Sequence, residues 1–162
     1  MGVEIERKFL LSEKAGHDAW RLGVEGVPYA QGYLSRGTGR TVRVRIAGAK
    51  AFLTIKGPVT GISRTEFEYE IPVADARQLL PLCDGPVIEK IRHKIPHGRH
   101  IWEVDEFLGE NAGLIVAEVE LADEGDSVEM PAWIDREVTG DPRYYNSNLT
   151  VHPYRLWRHE AP

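Results

Sequence analysis

The chain of 162 residues has a single cysteine, Cys83. It cannot close an intrachain disulfide, and no CxxC or zinc-type spacing surrounds it. A reducing, cytoplasmic setting and a small apolar packing role beside Leu79, Leu80 and Leu82 are therefore expected. No apolar run approaches the roughly 20 residues of a membrane span, and no signal-peptide core lies near the first residues. No membrane partner is expected. Positive charge is not in excess: 20 Lys and Arg face 25 Asp and Glu, a net charge of −5, which argues against a nucleic-acid partner. Trp20, Trp102, Trp133 and Trp157 do not line one strand face, so they are expected in packing rather than in a base-stacking platform. A P-loop, a Rossmann glycine fingerprint and a GxSxG elbow are all missing. His97 and His100 flank a turn instead of forming a metal site. Without internal repeats or a Pro-, Gly- or Ser-rich linker, residues 1–162 are expected to form a single domain.

What is present is strand pattern. Val3–Leu11, Tyr29–Ser35, Thr41–Ile46, Ala51–Lys56, Arg64–Ile71, Val87–Ile95, Ile101–Leu108 and Leu114–Leu121 read as strands. Hairpins are expected across Ala47-Gly48-Ala49 and around Pro96-His97-Gly98-Arg99, with further turns at Gly37-Thr38-Gly39 and a loop over residues 57–61. Glu13–Val24 reads as a weak helix capped by Ser12, and Ala74–Leu82 as a helix limited by Pro81. Pro131–Pro142 reads as irregular or briefly helical, and Arg143–Thr150 as a closing helix. Few crossovers among many strands imply a mostly antiparallel sheet.

Period-2 alternation sorts the charges onto one face of each strand. The rows are Glu4, Glu6, Lys8; Arg43, Arg45; Thr54, Lys56; Arg64, Glu66, Glu68, Glu70; Lys90, Arg92, Lys94; Glu103, Asp105; and Glu118, Glu120. The opposite rows are largely apolar, as in Val42-Val44-Ile46 or Ile115-Ala117-Val119-Leu121. A half-solvated sheet also carries charge on one face. Such a face usually mixes in Ser, Thr, Asn and Gln, however, whereas these rows are nearly pure charge. Like charges at i and i+2 also repel unless something of opposite sign lies between them. A hard divalent cation would relieve the paired glutamates, and a phosphate chain would relieve the arginines and lysines. These are the parts of metal-assisted phosphoryl transfer.

Glu4-Ile5-Glu6-Arg7-Lys8-Phe9-Leu10 carries an ExExK motif, and further stretches follow in order: Gln31-Gly32-Tyr33-Leu34, Arg43 with Arg45, Thr54-Ile55-Lys56-Gly57, Ser63-Arg64 with Glu66 and Glu68, Glu89-Lys90-Ile91-Arg92, Glu118-Val119-Glu120 and Arg143-Tyr144-Tyr145-Asn146. Together they resemble the triphosphate tunnel metalloenzymes, or CYTH superfamily, over nearly the whole chain, and most of all its short bacterial inorganic triphosphatases. The resemblance implies a mainly β fold, a closed eight-stranded antiparallel barrel with a charged interior and a few flanking helices. It implies Mg²⁺- or Mn²⁺-dependent hydrolysis of a small triphosphate, with Glu4, Glu6, Glu118 and Glu120 as metal ligands. Lys8, Arg43, Arg45, Lys56, Lys90 and Arg92 would bind the substrate. Lys8, Glu66 and Glu68 are the expected catalytic residues: Lys8 orients water, and the two glutamates act through water-bridged metal contacts or by orienting the basic row. Glu70 and Lys94 extend the charged parity outside this core set. A monomer or homodimer is expected. A class IV adenylate cyclase or a thiamine or nucleoside triphosphatase on the same fold is an alternative, and a non-catalytic polyphosphate- or nucleotide-binding module is a further one.

Overall fold

Alternation of valine with arginine between Thr41 and Ala47 can be satisfied only where one face of a strand is packed and the other is polar. Repeated along the chain, that alternation gives successive strands one apolar and one charged face. A computed structural model describes residues 2–13, 17–37 and 39–160. The strands among them are β1 (Gly2–Leu11), β2 (Gly26–Ser35), β3 (Thr41–Ala47), β4 (Lys50–Thr60), β5 (Ser63–Ile71), β6 (Asp84–His97), β7 (His100–Phe107), β8 (Ile115–Glu120) and β9 (Ile134–Glu137). Two short helices, α1 (Val73–Leu79) and α2 (Asn146–Leu149), accompany them. Strand neighbours run β5-β4-β3-β2-β6-β7-β8-β1, and a β5–β1 pairing closes an eight-stranded antiparallel barrel. Closure removes the free sheet edges.

β1 is the seam. Gly2 to Ile5 pair with β5, Glu6 to Leu10 pair with β8, and β9 joins at Phe9 and Leu11. Round the ring, β2 is the fourth strand from β1 in either direction, so β1 and β2 form opposite walls.

The apolar rows face outward and are covered in two places. α1 packs Ala76 over Val44, Ala51 and Ile71. Trp20, Trp133 and Val128 cover Phe9, Trp102, Val104 and Val119, with Trp102 edge-on to Trp133 at 5.9 Å. Each large apolar side chain fully buried there contributes roughly 1.5–3 kcal/mol, which helps offset the cost of a charged interior. Among the described residues the outer row of β5 has no cover: Phe67 and Tyr69 are 47% and 56% exposed. Toward one end of the barrel the inward row changes from charged to apolar. There Leu10, Ile88, Phe107 and Val116 meet Tyr144, Leu149 and Trp157 from the C-terminal segment, which seals that end.

Several local expectations need correction. The segment over residues 57–61 is not a loop: β4 runs on to Thr60, with a register shift between Lys56 and Val59 where Pro58 needs no ladder donor. Arg64 fastens this bulge by donating to the Gly57 carbonyl at 3.0 and 2.7 Å. The turn falls instead at Gly61 and Ile62, where Gly61 takes φ +63°, as a two-residue hairpin loop demands. The expected turn at Gly48 has the same form, with Ala47 opposite Lys50. Within Glu13–Val24, residues 14–16 lie outside the described residues, and His17–Arg21 is a 3₁₀ turn. Thr38, in the expected turn before β3, is also outside them. α1 ends at Leu79 and tightens to a 3₁₀ turn through Pro81. Pro131–Pro142 contains a strand, β9, which pairs with the β1 edge that β5 leaves. The closing helix is a 3₁₀ turn at Pro142–Tyr144 followed by the single turn of α2. Cys83 packs in the α1 cluster, as expected.

Candidate active site

Strand parity brings the charged rows into one cavity of about 310 Å³, within the range of small-ligand sites. All twelve residues singled out from the sequence line it: Glu4, Glu6 and Lys8 from β1, Arg43 and Arg45 from β3, Lys56 from β4, Glu66 and Glu68 from β5, Lys90 and Arg92 from β6, and Glu118 and Glu120 from β8. Glu70 does not line it, and Lys94, 62% exposed, stands at the rim.

Charge is divided across the barrel. β1 and β8 form an acidic wall in which Glu6 lies opposite Glu120 and Lys8 opposite Glu118. Across from it, β3 and β6 flank β2 and carry Arg43, Arg45, Lys90 and Arg92. Glutamates directly opposite each other in a ladder repel. Removal from water, then the neighbouring Glu118 carboxylate, holds Glu6 well above the usual carboxylate range. Burial would also raise Glu118, but Lys8, a hydrogen bond from Glu6, Arg92 and Lys90 drive it well below.

A second acid pair sits on β1 and β5. Lys56 donates to Glu4 at 2.9 and 3.1 Å and lies 3.3 Å from Glu66. Burial works to raise Glu4, yet Lys56 and Glu66 bring it below its usual value; burial and the bond to Glu4 push Glu66 up to about 7. Among the described residues no three His, Cys, Asp or Glu side chains are grouped closely enough to hold a metal as they stand. The donors are all carboxylate oxygens, which suits a hard cation, and the repulsion from Glu118 that helps to raise Glu6 is one that a cation's charge would relieve.

The basic wall is built around Asp105, which is fully buried. Arg92 grips it with two bonds of 2.7 Å (Nε to Oδ1) and 2.8 Å (Nη2 to Oδ2), and Lys90 donates to it at 2.7 Å. Burial pulls Lys90 down to about 7 against the attraction of Asp105. Arg43 donates through Nη2 to Thr54 at 3.2 Å and Glu68 at 3.4 Å, while its buried Nε has no partner. Burial, then Arg43 and Arg92, pushes Arg45 down to about 9, still charged at neutral pH. An orphaned donor and a crowded guanidinium cluster both call for an anion. Lys8 donates to the Tyr144 carbonyl at 3.2 Å, which ties the acidic wall to the C-terminal segment.

Sequence reasoning placed Asp105 in a charged row but not in the site, and it missed Tyr29, Gln31 and Asn146. Gln31 and Asn146 lie in stretches that carry the family resemblance, yet as neutral side chains they add nothing to a charge pattern. Gln31 meets Arg45 through the β2–β3 register, and both Gln31 and Lys90 meet Asn146 only where the C-terminal segment returns to the barrel.

Comparison with known proteins places this geometry. The CYTH domain family matches residues 2–147. An inorganic triphosphatase of Acetivibrio thermocellus is 54% identical over 159 residues, covering 98% of this chain and 99% of that protein. An inorganic triphosphatase of Nitrosomonas europaea is 36% identical, covering 92% and 97%. A crystal structure of an inorganic triphosphatase superposes with a TM-score of 0.63 at 33% identity, covering 93% of this chain and 96% of that one. A Pyrococcus horikoshii protein at 20% identity and TM-score 0.56 shares the fold over 75% of this chain and 80% of its own.

Proposed function

Since the chain belongs to the CYTH domain family, we propose that it hydrolyses inorganic triphosphate to pyrophosphate and phosphate with the aid of Mg²⁺ or Mn²⁺. The observation that carries this reading is the division of charge: an acidic wall of β1 and β8 faces a basic wall of β3 and β6 across one cavity. Glu4, Glu6, Glu118 and Glu120 would hold the cation, which supplies charge neutralisation at the phosphate oxygens. Arg43, Arg45, Lys56, Lys90 and Arg92 bind and align the phosphate chain. Water attacks a terminal phosphorus in line, forming one P–O bond as the bridging P–O bond breaks and pyrophosphate leaves. Lys8, between the acidic wall and the Tyr144 carbonyl, holds the attacking water. Of the two roles expected for Glu66 and Glu68, the contacts to Lys56 and Arg43 support that of orienting the basic row.

The test is incubation with tripolyphosphate and with ATP, with Mg²⁺ and Mn²⁺ separately, followed by separation of products. Equimolar phosphate and pyrophosphate from tripolyphosphate is the expected result. Cyclic AMP from ATP would make the protein a cyclase, and tight binding without phosphate release would make it a binding module.

Metal removal should also show in stability. Glu66 is raised from the usual 4.5 to about 7. Between those values the folded chain holds a proton that the unfolded chain has lost, so stability of the metal-free protein falls as pH rises through this window. The lowered groups, Glu4, Glu118 and Asp105, titrate below it. Of the four proposed ligands, Glu6 and Glu120 are raised, chiefly by burial, and a cation needs them ionised, so the rise in Tm on adding Mg²⁺ or Mn²⁺ should grow from pH 5 to pH 7.5. Thermal melts with and without EDTA check this; a metal shift independent of pH would contradict it.

A further inference from the structure

The strand in the middle of the basic wall carries no charge. β2 turns Tyr29, Gln31 and Tyr33 inward between the arginine row of β3 and the Lys90–Arg92 row of β6. The guanidinium carbons of Arg45 and Arg92 lie 5.0 and 4.9 Å from the centre of the same Tyr29 ring, which is 9% exposed. Gln31, fully buried, accepts from Arg45 Nε at 2.8 Å and donates to Asn146 Oδ1 at 3.1 Å. Asn146 Oδ1 also accepts from Lys90 at 2.9 Å.

The neighbouring cations are treated differently. Lys56 has Glu4, Lys90 and Arg92 have Asp105, and Arg43 has Glu68. Among the described residues Arg45 has no carboxylate partner, and its hydrogen bond goes to the neutral amide oxygen of Gln31. A carboxylate at position 31 would orient the guanidinium equally well, but it would neutralise it before substrate arrived. An amide fixes the direction and leaves the charge. The ring face of Tyr29 likewise attracts both guanidinium groups and eases their mutual repulsion without adding a formal negative charge.

Building on the triphosphate-binding role of the basic wall proposed above, we propose that Tyr29 and Gln31 are positioning residues. They aim Arg45 and Arg92 at the phosphate chain, and Asn146 fixes the orientation of Gln31.

The test measures kcat and KM for tripolyphosphate in Gln31→Met, Gln31→Glu, Tyr29→Leu and Tyr29→Phe. Loss of one hydrogen bond to a charged group should raise KM about tenfold in Gln31→Met, with kcat changed less than about threefold. Gln31→Glu should be worse, about a hundredfold in KM, because the new carboxylate competes with phosphate for Arg45. Tyr29→Leu should raise KM about fivefold, and Tyr29→Phe, which keeps the ring, should restore wild-type values. In an Arg45→Ala background, Gln31→Met should add nothing further. A full tenfold effect in that background would overturn the proposal, as would a fall in kcat with KM unmoved, or Tyr29→Phe as impaired as Tyr29→Leu. Should Gln31→Met fail to fold, Asn146→Ala, at the half-buried start of α2, is expected to raise KM in the same direction, and an unchanged KM would overturn the proposal. If the wild type released no phosphate, the functional reading would fail; the Kd of each variant for tripolyphosphate, by calorimetry in EDTA, would still decide this inference.

Discussion

Exchanging Glu6 for glutamine is expected to lower kcat/KM for tripolyphosphate on the order of a thousandfold while leaving Tm equal or higher. Glutamine keeps the shape and removes the charge. As a metal ligand Glu6 supports an effect worth several kcal/mol at the transition state, and each 1.36 kcal/mol is about tenfold in rate. As a structural group, by contrast, Glu6 is a liability. Burial, then the neighbouring Glu118 carboxylate, holds it well above the usual carboxylate range. Removing a repelled acid should not destabilise the barrel, so activity and stability should move apart. Glu120→Gln should act in the same direction. Steady-state kinetics with Mg²⁺ and Mn²⁺, beside a thermal melt, check both, and full activity in both variants would refute the metal assignment.

The second large effect concerns stability. Asp105→Asn should destabilise the protein by about 3–5 kcal/mol, because it leaves Lys90 and Arg92 buried without their shared counter-charge. Glu103 at 3.2 Å and Glu118 at 3.8 Å from Arg92 offer only partial replacement, and neither contacts Lys90 directly. For a domain of this size the loss corresponds to a fall in Tm on the order of 10 °C. Urea unfolding measures it, and a cost under about 1 kcal/mol would show that Asp105 does not anchor the basic wall. Added tripolyphosphate should recover part of the loss, since an anion in the cavity supplies the missing charge.

Much of the barrel was legible in the residues. Charged parity in β1, β3, β6 and β8 identified the acidic and the basic rows, since a strand period of two leaves no freedom about which side chains share a face. The apolar parity identified the outward rows, Trp102 and Val119 among them. Legibility ended where short-range signals conflicted or were weak. Gly57 and Pro58 read as a loop, yet a bulge absorbs both within β4. β9 is four residues long and exists because β1 offers it an edge where β5 departs, a circumstance that no local pattern contains. The C-terminal helix read from Arg143–Thr150 is broken into two short turns because Tyr144 and Leu149 must fill the end of the barrel.

The sequence by itself determined which side chains lie together on each strand, and so the chemistry of an oxygen-rich acidic row and a guanidinium-rich basic row. Only the tertiary structure decided that these rows confront each other, that burial beside Glu118 raises Glu6, and that Arg45 is steadied by an amide and not by an acid. The physical reason is that periodicity along a chain fixes a face, whereas distances across a barrel are fixed by ring order and register. Those depend on every strand at once.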